Sequence, residues 1–131
     1  MGRVSPVSEP RYLLDTHILL WDLADDDRIL PAHDEILLGN APKFFSIASL
    51  WEIAIKSATG KLKMPDNLLE TIRSSDVELL SISPEHVLHT ASLPRHHGDP
   101  FDRLLIAQAQ REGLTLVTVD PHFSRYDIAL A

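Results

Sequence analysis

Short apolar runs that stop at a carboxylate constrain this chain more than any other feature. Arg11 to Asp15 (RYLLD) is one and Thr115 to Asp120 (TLVTVD) is another. Each is rich in strand formers and too short for a helix, and each delivers an Asp at its end. Between them lie two more strand candidates, Lys43 to Ile47 (KFFSI) and Val77 to Ile82 (VELLSI), separated by segments of helical spacing. Strands alternating with helices predict an α/β fold, a parallel sheet covered by helices on both faces.

Helix punctuation sharpens this outline. Thr16 reads as the N-cap of HILLWDLA, and Pro31 opens a helix through Leu38 that Gly39-Asn40 ends. In SLWEIAIKSATGKL, the residues Leu50, Ile53, Ala54 and Ala58 fall on one helical face, with Gly60 closing the helix. Pro65 is expected to open DNLLETIRSS, and SPEHVLHTASL to run until Pro94. RHHGDP then connects to a long helix beginning at Pro100 with Asp99 as its N-cap, and DIALA forms a short edge strand. Residues 1–10 are polar and read as a loose extension of a single domain over 11–131, a length that can bury a core without cross-links. No apolar run is long enough for a membrane span and no apolar signal core is present, so the expected setting is the cytoplasm, with no membrane partner.

In an open parallel sheet, ligands bind beyond the carboxyl ends of the strands. That rim is where the acids fall. Asp15 and Asp120 end strands, Glu52 lies one turn into the helix after the second strand, and Asp99 and Asp102 flank the start of the helix before the last. Ser46 and Thr118 sit close to the same rim with hydroxyls suited to orienting water or ligands. Most of these have an ordinary structural explanation when taken singly. Ser49 and Glu52 fit a capping box, Asp102 suits a first helical turn, Asp99 caps a helix and Asp120 precedes Pro121 in a turn. Asp15, an acid ending an apolar strand, is the costly one.

Carboxylates converging on one volume repel by roughly 1 to 4 kcal/mol per close pair at a surface-like dielectric. A bound cation offsets that repulsion. A chain with no cysteine offers an all-oxygen set, which suits Mg²⁺ or Mn²⁺ and the hydrolysis of phosphodiesters. The formal charge of −7 argues against broad electrostatic capture of nucleic acid but not against nucleic acid as a substrate at a metal site.

Four segments, LLDTHILLW, FFSIASLWEIAIK, HHGDPFDRLLIAQAQREG and LVTVDPHF, resemble in order and spacing the PIN domain of VapC-type toxins from bacterial toxin–antitoxin systems. The similarity runs from Tyr12 to Phe123. It implies a three-layer α/β/α fold with about five parallel strands and a Mg²⁺- or Mn²⁺-dependent endoribonuclease. The family's four acids fall on Asp15, Glu52, Asp102 and Asp120, all four placed at the metal. Asp15 and Asp102 would coordinate it chiefly, while Glu52 and Asp120 would bind through water or orient the nucleophile. Asp99 is an additional acid of this branch, and Thr16, Ser46 and Thr118 are supporting candidates. The resemblance further implies an RNA substrate, a cognate protein antitoxin, and a homodimer or larger toxin–antitoxin assembly.

Lys56, Arg95 and Arg103 are the candidates for phosphate contacts. His86 and His89 stand three apart as a possible metal pair, with a solvated helical pair the plainer reading. His96 and His97 lie in the connector and His17 near the rim. Leu20, Trp21, Leu23 and Trp51 are either core or part of a partner surface. A receiver module would need an adjacent acidic pair after the first strand, and a haloacid-dehalogenase-like phosphatase would need D-x-D; Asp15-Thr16-His17 meets neither pattern. A PIN-like module that binds RNA or protein without cutting remains the alternative.

Overall fold

The computed structural model describes residues 9–96 and 98–131, so residues 1–8 of the expected extension, and His97, lie outside the described residues. Four parallel strands, β1 (Tyr12–Leu14), β2 (Lys43–Ser46), β3 (Val77–Leu80) and β4 (Thr115–Val117), form a sheet in the order β3-β2-β1-β4. The expected C-terminal strand contributes one parallel bridge, Leu116 with Leu130, in the place of a fifth.

Neighbouring residues on a strand face opposite sides of the sheet. Leu13 and Leu116 therefore enter one core with Leu105, Ile106, Ala109 and Phe123, while Leu14 and Val117 enter another with Ile18, Phe45, Ile53 and Ile72. Burial on both faces explains why these strands read as unbroken apolar runs. Helices α1 (Thr16–Leu23), α2 (Pro31–Leu38), α3 (Ile47–Ala58) and α4 (Leu68–Ser74) cover the second core. Helix α6 (Pro100–Glu112) covers the first, with α5 (Pro84–His89) packed beside it. No helix of the described residues is long and apolar enough to cross a membrane.

Several local expectations are corrected. Asp15, not Thr16, caps α1, because its carboxylate accepts the Thr16 N–H at 2.7 Å. Ser46, not Ser49, caps α3 by accepting from the Ala48 N–H at 3.0 Å, so the Ser49–Glu52 capping box does not form. The inner face of α3 holds Ala48, Ser49, Glu52 and Ile53, while Ala54 and Ala58, expected on it, are exposed. Helix α4 begins at Leu68 rather than near Pro65, because Asn67 adopts the left-handed region at φ 55°, where a right-handed helix cannot continue.

Strand β2 opens on a lysine that is 2% exposed. The Lys43 ammonium donates to the carbonyls of Gly39 at 2.7 Å and Ala41 at 3.1 Å and to Asp76 at 3.1 Å. Gly39 caps the C-terminus of α2, the negative end of its dipole.

One topological fact positions the site. The chain steps from β1 to β2 to β3 and then returns to the far side of β1 as β4, so the order reverses between β1 and β4. The carboxyl ends of strands on either side of such a reversal splay their connections apart and leave a crevice. Leu14 is level with Phe45 and Val117, so Asp15 and Thr118 lie side by side one residue beyond.

Candidate active site

Asp15 is 8% exposed, and each of its oxygens is held by an element on a different side. One accepts the Thr16 N–H at 2.7 Å and the other the Thr118 hydroxyl at 2.7 Å, across 103 residues of sequence. Burial raises the Asp15 pKa above the ordinary carboxylate value; the bonds from Thr118 and Thr16 and the nearby His17 pull it down, and the charge of Glu52 adds to the rise. Each carboxylate oxygen carries two acceptor positions, so each retains one beyond the bond described.

Glu52 is 7% exposed and lies on the first turns of α3. Its Oε1 accepts the Thr16 hydroxyl at 2.7 Å and its Oε2 accepts Lys56 Nζ at 2.8 Å. Thr16 thus touches both acids, through its amide to Asp15 and its hydroxyl to Glu52. On the other side Thr118 Oγ1 accepts the Asp120 N–H at 3.0 Å, and Asp120 in turn accepts the backbone and ring of His122 at 2.9 and 2.8 Å. Asp99 caps α6 by accepting from Phe101 and Asp102 N–H groups at 2.9 and 3.1 Å, so Asp102 stands in the first turn. Both acids act on Lys56, whose pKa is raised first by its bond to Glu52 and then by the charges of Glu52, Asp99 and Asp102. Ser46 is fully buried as the cap of α3 and lies level with Asp15.

The remaining sequence candidates divide. Lys56 lies within the cluster. Arg103 clasps the connector, donating to the carbonyls of Pro94, Thr90 and Leu93 at 2.9, 2.7 and 3.3 Å, and Arg95 is exposed on that connector. The rings of His86 and His89 turn to separate partners. His86, 3% exposed rather than solvated, accepts from the Ser83 N–H through Nδ1 at 3.0 Å and meets Glu112 at 2.9 Å, while His89 meets Gln110 at 2.6 Å. His96 packs edge-on against Tyr126. Leu20, Trp21 and Leu23 are half-buried against the core, but Trp51 is 58% exposed and edge-on to Phe101 at 5.3 Å. Sequence reading missed the contacts of Thr16 and Lys56 on Glu52, of Thr118 on Asp15 and of His122 on Asp120. Lys56 carried a signal in its four-residue spacing, and His122 one in the turn at Asp120-Pro121, where an Asp carboxylate commonly accepts the N–H two residues on.

Among the described residues no three His, Asp or Glu side chains form a ready-made metal cage. The donor set is of the open kind: oxygen ligands, no sulfur, and a buried carboxylate whose repulsion from a neighbouring acid a cation would relieve. One or two carboxylates completed by water and substrate oxygens is how Mg²⁺ is usually held.

A parallel sheet covered on both faces, with acids near the carboxyl ends of its strands where the strand order reverses, defines an open α/β class of protein. Within that class the chain belongs to the PIN domain family, whose sequence profile matches residues 12–129. A ribonuclease, VapC22 of Mycobacterium tuberculosis (strain ATCC 25618 / H37Rv), is 33% identical over 116 residues, 82% of this chain and 85% of that protein. Among solved structures, a chain of the VapBC2 complex of Rickettsia felis bound to a promoter DNA fragment superposes with a TM-score of 0.68 at 22% identity, covering 92% of this chain and 96% of that one. A chain of the DNA-bound VapBC of Salmonella typhimurium does so with a TM-score of 0.68 at 21% identity, covering 94% and 98%. These likenesses agree on the fold.

Proposed function

We propose that this protein is a VapC-type endoribonuclease that hydrolyses RNA phosphodiester bonds with Mg²⁺ or Mn²⁺ and is held in check by a cognate protein antitoxin. The observation that carries the reading is the buried Asp15 carboxylate, fixed by Thr16 and Thr118 at the reversal point of the sheet, with Glu52 tied to the same threonine. Kinship with a ribonuclease VapC22 supports it.

On this reading Asp15 and Asp102 hold the metal, and Glu52 and Asp120 act through water or orient the attacking nucleophile. When bound, such an ion polarises a phosphoryl oxygen and favours hydroxide over water. The chain's own part is positioning. Thr16 and Thr118 lock two carboxylates in fixed rotamers, so little reorganisation is required when charge develops. Asp99 orders the first turn of α6 and with it Asp102. Exposed Trp51, Ile55, Val87 and Leu88 offer apolar surface for an antitoxin or a second copy of the chain.

Incubation of the purified protein with total RNA tests this directly. Cleavage with Mg²⁺ that EDTA abolishes is the expected result, and mapping the new ends would give the target. RNA binding with no cut in Mg²⁺ or Mn²⁺, or cutting that survives EDTA, would overturn it. Thr118→Val keeps the shape of the side chain but removes the donor to Asp15 and the acceptor for Asp120. Its initial cleavage rate at saturating Mg²⁺ is expected to fall about tenfold, the worth of one hydrogen bond to a charged group.

A further inference from the structure

Both Glu52 oxygens are held by side chains from within the cluster, Thr16 on one and Lys56 on the other. The two partners differ in kind. Thr16 is buried and neutral, whereas the Lys56 side chain is 40% exposed against 9% for Glu52. A lysine stem of this sort swings its ammonium into water at small cost, while the glutamate cannot leave. The ammonium also lies within the pull of Asp99 and Asp102 as well as Glu52, which is where a bound cation would do most to quench repulsion.

From this geometry we infer that Lys56 is the internal counter-cation of the acidic site, and that a divalent metal must displace its ammonium from Glu52 before that carboxylate can serve the metal. The inference rests on the metal-site reading above and deepens it. Lys56 is then a positioning residue: it keeps the carboxylates compatible while no metal is present and sets the concentration at which metal enters. An ordinary i,i+4 pair on a helix surface would have no such effect on ion binding.

Calorimetric titration of Mn²⁺ into the full chain, without RNA, separates the possibilities. Lys56→Met is expected to bind Mn²⁺ about three- to tenfold more tightly than the unmodified protein, the range for losing one partly screened competing charge. Lys56→Gln, which keeps a hydrogen-bond donor without the charge, is expected to do the same and serves if the Met variant does not fold. Lys56→Arg retains the charge and is expected to bind like the parent. Without metal the neutral variants should melt lower, and Mn²⁺ should raise their melting temperature more than it raises the parent's. Neutral variants that fold yet bind Mn²⁺ no more tightly than the parent overturn the inference and leave the metal site standing. A parent protein that binds no Mn²⁺ overturns both.

Discussion

Asp15→Asn and Asp102→Asn are each expected to lower metal-dependent RNA cleavage by about 100-fold or more, the range for removing a group that acts on the transition state. Asp15→Asn is expected to do so without lowering the melting temperature. Asn at this position can accept the Thr16 N–H through its carbonyl oxygen, and its amide can donate to the Thr118 hydroxyl, which rotates to accept. What disappears is the charge. Because burial lifts the Asp15 pKa in the folded protein above its unfolded value, the folded state takes up this proton more readily than the unfolded chain. The stabilisation is fully present below the ordinary carboxylate pKa and is lost as pH rises through the folded value. At neutral pH the ionised Asp15 therefore costs stability, and Asn avoids the cost. The metal-free Asp15→Asn protein should melt at or above the parent near pH 7, with the difference shrinking on acidification. Wild-type cleavage by a folded Asp15→Asn protein would sink the assignment, and a melting temperature several degrees lower would sink the account of its burial.

Lys43→Ala is expected to lower the unfolding free energy by about 3 kcal/mol in urea denaturation, from a lost buried stem and two carbonyls left without their donor. Against a total of about 5 to 15 kcal/mol for a domain, that is a large fraction. The carbonyls of Gly39 and Ala41 carry more of the effect than Asp76, whose side chain is 67% exposed and readily solvated. Lys43→Met keeps most of the stem and should lose roughly half as much, since only the ammonium is removed. A Lys43→Ala protein within about 1 kcal/mol of the parent would show that this ammonium contributes no more than an exposed one.

Residues that act locally made much of this molecule legible in its sequence. Asp99 and Pro100 opening α6, with Gly113 ending it at φ 67°, are signals the chain carries within one turn of the events they cause. The ends of β1 and β4 were readable for a related reason, because the apolar run breaks there at a polar residue, although Asp15 itself stays buried. Capping was misread where two candidates competed: Asp15 displaced Thr16, and Ser46 displaced Ser49, in each case the residue closer to the strand. Lys43 was opaque, since a lysine at the start of a strand normally reaches water and only the folded path of residues 39–41 supplies its partners. The links of Thr16 to Glu52 and Thr118 to Asp15 span 36 and 103 residues. The register of the sheet creates them, and no spacing in one sequence encodes it.

The second of those spans has a temporal meaning. During synthesis β1, β2 and β3 leave the ribosome long before β4, and until β4 docks, one edge of β1 is open and Asp15 lacks the hydroxyl that orients it. Contacts this distant in sequence close late, because the entropy of the intervening chain must be overcome first. A nascent chain that stops short of Thr118 is thus a scaffold without its finished centre. For an enzyme proposed to cut RNA, made on an RNA template, that order of assembly delays competence until the template has been read through Thr118.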